Sequence, residues 1–118
     1  MITDFTEMPV WQQAMDIAEI CFDISENLPR KEDYALTSQL RRSAESISSN
    51  IAEGFGRRTS KDKTHFYDIS RGSAFETKSH LIYGVRVKYF KEEDYIRNEK
   101  LIKEVVHELN KITNYLLK

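Results

Sequence analysis

The stretch QLRRSAESISSNIAEGFGR, residues 39–57, contains the clearest periodicity in the chain. Apolar side chains recur there every three or four residues, as on one face of an α-helix. The repeat extends back to Leu36 and comprises Leu36, Leu40, Ala44, Ile47, Ile51 and Phe55. Gly54 and Gly56 end it, because glycine readily adopts the left-handed backbone angles of a helix C-terminus. The stretch predicts a long amphipathic helix over about 34–55, although residues 31–36 fit either a loop or its first turn.

Three further patterns of helical spacing flank this helix, and they predict helices over about 9–28, 60–88 and 92–117. The first comprises Val10, Ala14, Ile17, Cys21, Ile24 and Leu28. The second has a polar middle and comprises Phe66, Ile69, Ser73, Glu76, His80, Tyr83 and Val87. The third comprises Ile96, Leu101 or Ile102, Val105, Leu109, Ile112 and Leu116. Pro9 suits a first helical turn, Pro29 ends the first helix, and Thr59 or Ser60 caps the third.

Four helices joined by short connections predict an all-α fold, an antiparallel up-down-up-down four-helix bundle. The 118 residues form a single domain, 1–118, since no linker or internal repeat interrupts the patterns. Only 4 Gly and 2 Pro are present, too few for the many turns of an all-β chain.

The net charge of −1 conceals an uneven distribution. Residues 1–29 carry six acids and no Lys or Arg, whereas residues 30–90 carry a formal charge of +5. The acidic segment and the basic middle can pair within the chain, pair between subunits, or leave a basic face for an anionic partner.

Several functional classes are disfavoured by the sequence. No charge-free run is long enough to span a bilayer, and the lone Cys21 cannot form an internal disulfide, so a cytoplasmic protein is expected. Glu104-x-x-His107 has no second copy, as a di-metal bundle would require, so we expect no metal and no cofactor. Cys21 lies on an apolar face without basic neighbours, and the three histidines are scattered, so we expect no catalytic site and no enzyme.

A polar face on the second helix is the first candidate site. Its side chains, with two from the third helix, are Arg42, Ser46, Asn50, Glu53, Ser73 and Glu76. Small polar residues lower helix propensity but allow another backbone to approach closely. This face is therefore either solvated or part of a polar network that lies inside the bundle or between subunits.

A basic cluster at the turn between the second and third helices is the second candidate. It comprises Arg57, Arg58, Lys61 and Lys63. Such side chains either contact phosphates or serve solubility and pairing between subunits.

Particular strings resemble one known family over nearly the whole chain, from about residue 5 to residue 117. They are Val10-Trp11-Gln12, residues 39–44, residues 46–57 with their Asn-Ile-Ala-Glu-Gly core, Phe66, Arg71-Gly72-Ser73 and Glu76. Together they resemble the four helix bundle protein family, also called 23S rRNA-intervening sequence proteins. The chain departs from the family's usual residues at Ala35 (usually Gly), Ser48 (often Pro) and Thr77 (often Leu).

The resemblance implies a homopentamer of four-helix bundles. Some family members are encoded within intervening sequences of 23S ribosomal RNA genes. A similar accessory protein of diversity-generating retroelements works with a reverse transcriptase and nucleic acid. The biochemical role of most members is not established, so two functions stay open for this chain. One is a nucleic-acid-associated accessory protein that binds RNA or DNA weakly, and the other is an oligomeric scaffold that binds protein partners.

Overall fold

The computed structural model describes all 118 residues, which form four α-helices and no β-strand. The helices are α1 (Pro9–Ser25), α2 (Leu36–Gly56), α3 (Ser60–Arg86) and α4 (Glu92–Leu116), with short 3-10 turns at Phe5–Glu7 and Arg30–Glu32. Each helix packs against its sequence neighbours and α4 packs against α1, whereas the backbones of the diagonal pairs come no closer than 8 Å between Cα atoms. The predicted all-α four-helix bundle is thus confirmed. None of its helices has the length and apolar character that crossing a membrane requires.

The helix ends differ from the predicted ones by up to three residues. Helix α1 stops at Ser25, because the chain turns before the extended Pro29, whose φ and ψ are −65° and 152°. Helix α2 starts at Leu36 instead of residue 34, since Ala35 lies outside the helical region with φ −123° and ψ −107°. Helix α3 begins as predicted, with the Thr59 side chain accepting a hydrogen bond from the Asp62 amide at 3.1 Å.

The apolar repeats of α1, α2 and α4 form the core. The buried residues from these helices include Val10, Ala14, Ile17, Cys21, Leu36, Leu40, Ala44, Ile47, Ile51, Ile102, Val105 and Leu109. Burial of such side chains is the main stabilising contribution, roughly 1.5–3 kcal/mol for each large aliphatic group.

The predicted core face of α3 is wrong. The residues that α3 buries are Thr64, Tyr67, Ser70, Ala74, Thr77, Leu81 and Gly84. Ile69, Glu76 and Tyr83 from the predicted stripe are exposed instead. The true core face consists largely of small and hydroxyl residues, so a hydrophobic repeat selects the neighbouring stripe. Ser70 and Thr77 can occupy this buried face because their hydroxyls find hydrogen-bond partners there, whereas Thr64 Oγ1 at the start of α3 has none.

Candidate interaction surfaces

The interface between α2 and α3 contains buried hydroxyl groups. Thr77 Oγ1 donates to Ser43 Oγ at 2.9 Å, and Ser43 Oγ lies 3.1 Å from the Leu40 carbonyl oxygen, to which it donates. Ser70 Oγ donates to the Ile47 carbonyl oxygen at 2.7 Å. Small side chains bring the two helices close, and each of these hydrogen bonds offsets the cost of burying a hydroxyl.

Three residues of the predicted polar face meet at the edge of this interface. Ser46 Oγ and Ser73 Oγ are 2.9 Å apart and hydrogen-bonded. Asn50 Nδ2 donates to the Ser46 carbonyl oxygen at 2.8 Å and to Ser46 Oγ at 2.9 Å. These half-buried side chains form a small polar cluster that joins α2 to α3.

The charged members of the predicted polar face lie apart from this cluster. Glu53 Oε2 accepts from Arg57 Nε at 3.2 Å, and Glu76 Oε2 is 3.2 Å from His80 Nε2. The first pair joins α2 to the residue that follows it, and the second lies within α3. Arg42 is exposed and has no hydrogen-bond or ion-pair partner within the chain. The six residues therefore form no single network within one chain, and their role between chains stays a prediction.

The basic cluster divides into engaged and free side chains. The Arg57 guanidinium also lies over the Phe66 ring, 4.6 Å from its centroid. Lys63 Nζ donates to the Gly54 and Phe55 carbonyl oxygens, at 3.3 and 2.7 Å. Lys63 therefore caps the C-terminal end of α2, where unpaired carbonyls favour a cation.

Arg58 and Lys61 are the free members of the cluster. Both are exposed, and neither makes a hydrogen bond or an ion pair through its side chain. They lie at the α2–α3 turn, where α3 begins, so their charges remain available to an anionic partner.

Sequence reasoning missed an apolar surface on the outward side of α3. Five large apolar side chains of this helix and its C-terminal cap are exposed, namely Ile69 (39%), Phe75 (46%), Ile82 (37%), Tyr83 (52%) and Val87 (41%). Gly72 and Ser79 lie among them, with no Cβ at the first and a small side chain at the second. The missed signal was that the large apolar side chains of α3 and its small and hydroxyl residues lie on different sides of the helix, so the apolar ones are not all in the core.

The outward side of α1 has the opposite character. Its acidic residues follow the helical repeat at positions 16, 19, 23 and 26, and all are exposed. Glu26 pairs with Arg41 at 3.8 Å, whereas Asp16, Glu19 and Asp23 have no basic group within 4.0 Å. Phe22, 49% exposed, lies beside this stripe.

Cys21 is fully buried in the core. Burial raises the pKa of its thiol to about 12, so the thiolate that a nucleophile or metal ligand requires is scarce at neutral pH. Across the chain, no group of three or more His, Cys, Asp or Glu side chains has the arrangement of a metal site.

These features define a small helical bundle whose distinctive chemistry lies on its outer faces. Residues 6–111 match the model of the family described as 23S rRNA-intervening sequence protein, and the chain belongs to that family. It is also similar in fold to the crystal structure of a protein with unknown function from the S23 ribosomal protein family of Bacteroides thetaiotaomicron. That similarity has a TM-score of 0.78 at 22% identity, over 88% of this chain and 97% of the other. A comparison with curated proteins gave no significant match.

Proposed function

We propose that this chain is a non-enzymatic cytoplasmic protein that works as a homopentamer and associates weakly with nucleic acid. The exposed apolar side chains on the outward side of α3 are the observation that supports the assembly, because several large apolar groups exposed on one side of a helix mark an interaction site. The number five comes from the family resemblance. A cytoplasmic, non-enzymatic role is supported by the single cysteine, which is buried and has a raised pKa.

Association with nucleic acid is supported by Arg58 and Lys61, which have no partner in the chain. A ring of five subunits repeats this pair five times, and multivalency converts weak phosphate contacts into measurable avidity. The family's description as a protein of rRNA intervening sequences points in the same direction. We therefore expect binding that tolerates changes of sequence and weakens steeply as salt rises.

A titration against structured RNA and duplex DNA at two salt concentrations tests this part of the proposal. The double variant Arg58→Glu with Lys61→Glu should abolish binding at low salt and leave the assembled mass unchanged. Arg30→Glu with Lys31→Glu is the matched control, since it changes the charge equally at the opposite end of the bundle. Binding that survives the first double variant would reject the α2–α3 turn as the phosphate site.

The second candidate function is an oligomeric scaffold for protein partners. The formal charge of −6 on residues 1–29 favours it, because dense negative charge repels phosphate and suits a basic protein surface. Absence of RNA and DNA binding at low salt, with the assembly intact, would favour this scaffold over the nucleic-acid role.

A further inference from the structure

The side chain of Arg57 is held in place at the turn between α2 and α3. Its guanidinium lies over the Phe66 ring, 4.6 Å from the centroid, and its Nε donates to Glu53 Oε2 at 3.2 Å. The Phe66 ring covers one face of this planar group, and 45% of the Arg57 side chain remains exposed. A guanidinium plane that is fixed and partly free can stack on the face of a nucleobase.

A second planar group contacts the same ring. His65 is exposed and packs edge-on against Phe66, with the ring centroids 5.1 Å apart and an interplanar angle of 77°. Lys61 precedes His65 by four residues on α3, so the two side chains share one face of the helix. Planar groups and a free cation therefore lie close together where α3 begins.

Three other pairs of a cation and an aromatic ring occur in the chain, and their surroundings differ from those of Arg57. They are Arg41 with Phe22, Lys63 with Phe55, and Arg71 with Phe75. The first lies beside the acidic residues of α1, the cation of the second caps α2, and the third lies on the side of α3 that the proposed assembly covers. The pair of Arg57 and Phe66 instead lies beside Arg58 and Lys61, which are exposed and have no partner.

The charge around Arg57 is positive but modest. Residues 53–63 carry four bases and the two acids Glu53 and Asp62, which gives a formal charge of +2. The 3-10 turn Phe5–Glu7, which contacts α2, adds Asp4 and Glu7, and their carboxylates accept hydrogen bonds from amides of residues 3–6. Phosphate contacts to so few cations are weak, so stacking of a base would be the larger contribution at each site.

We infer that the α2–α3 turn binds an unpaired nucleotide, whose base stacks on the Arg57 guanidinium while Arg58 and Lys61 contact the adjoining phosphates. This site rests on the proposed association with nucleic acid and adds the kind of strand that binds. In a duplex the bases stack on one another, so their faces are closed to a protein side chain. Stacking on a single strand tolerates changes of sequence, because every base has a π-face.

Binding of an unstructured single-stranded RNA of about 12 nucleotides, compared with the RNA duplex of the same sequence, tests this site. At low salt, fluorescence anisotropy should show the single strand bound roughly tenfold more tightly, although the duplex carries twice the phosphates. Arg57→Lys keeps the charge but removes the plane, so it should weaken single-strand binding roughly tenfold and leave duplex binding unchanged. Arg58→Lys is the matched control and should change neither affinity, because a phosphate contact requires only the charge.

The salt dependence separates stacking from charge. Arg57→Lys should leave the slope of log affinity against log salt unchanged, whereas Arg58→Gln should reduce that slope by about one. Phe66→Leu removes the ring behind the guanidinium and should weaken single-strand binding as Arg57→Lys does. Circular dichroism should show the same helicity for all three variants.

Two results would overturn the stacking site. One is equal affinity of the wild type for the single strand and the duplex, and the other is an Arg57→Lys variant that keeps the preference. If binding is still lost in the variant with Arg58→Glu and Lys61→Glu, the proposed association with nucleic acid survives either result. A wild type that binds neither RNA at low salt would overturn that association and the stacking site with it.

Discussion

The two sides of α3 reverse the usual rule that apolar side chains are buried and polar side chains are exposed. The inward side packs Ser70, Ala74 and Thr77 against α2, whereas the outward side exposes Phe75 and Ile82. The hydroxyls are tolerated inside because each has a partner, and they permit a close approach of the helices. The apolar residues outside have no comparable local reason. The proposed assembly accounts for the difference, because it would make α3 a central helix.

The largest difference in stability is expected between alanine substitutions at two glycines on opposite sides of α3. A Cβ at Gly84 would lie 2.2 Å from Cδ2 of the buried Phe90 ring, so Gly84→Ala should destabilise the chain by about 1–3 kcal/mol. A Cβ at Gly72 meets nothing within 4 Å, and Gly72→Ala should stabilise the helix by about 0.5–1 kcal/mol. Urea denaturation of both variants measures the difference, and equal destabilisation would contradict the assigned inner side.

Loss of an inward hydroxyl should cost more than loss of an outward one. Ser70→Ala removes the 2.7 Å hydrogen bond to the Ile47 carbonyl and should cost about 1 kcal/mol. Ser79→Ala on the outward side should change the free energy of unfolding by less than about 0.5 kcal/mol. If thermal melts show the two variants to be equally stable, the buried Ser70 hydrogen bond does not contribute to the stability of the fold.

High pH should lower the free energy of unfolding through Tyr67, which is buried on the inward side of α3. Burial raises the pKa of its phenol above the ordinary value, so the folded chain keeps the proton after the unfolded chain has lost it. Stability is therefore unaffected below the ordinary tyrosine pKa and falls as pH rises beyond it, by at most about 1.4 kcal/mol per pH unit for one group. Tyr67→Phe should lessen this alkaline loss in denaturant titrations at several pH values. An unchanged slope would show that the phenol ionises equally in both states.

The smallest effect concerns the exposed ion pair at the C-terminal end of α2. Glu53→Ala removes an ion pair with Arg57, 3.2 Å long and about half exposed, and should cost no more than about 0.5 kcal/mol in a dissociated chain. Within one chain, Glu53 therefore contributes little to the free energy of unfolding. A loss of about 2 kcal/mol or more in the assembled protein would instead place this side chain in a buried interface between chains.

Most of the fold could be predicted from the sequence, because α1, α2 and α4 bury the residues of their apolar repeats. The inward side of α3 could not, since Ser70 and Thr77 are buried through hydrogen bonds to another helix, which a hydrophobic repeat does not register. Thr77 was an indication of a polar inward side, because it stands where leucine is common in the family.

The candidate sites were predicted less well for a related reason. Residue spacing placed Ser46, Asn50 and Ser73 correctly near one another, because they share neighbouring helix faces. It could not separate the engaged Lys63 from the free Lys61, since the carbonyls that Lys63 caps depend on the turn geometry. The apolar outward side of α3 escaped notice because its residues were assigned to the core.

The accessibility of residue 79 in the assembled protein tests the central claim most directly. Cys21 is buried, with a thiol pKa of about 12, so it should not react with a maleimide. An introduced cysteine should then be the reactive thiol that is measured. Ser79→Cys should react slowly with a maleimide in the assembly and quickly after the assembly has been dissociated by dilution. Ser49→Cys, exposed on the outward side of α2, is the matched control and should react quickly in both. If Ser79→Cys reacts as fast as Ser49→Cys in the assembled protein, the outward side of α3 is not covered.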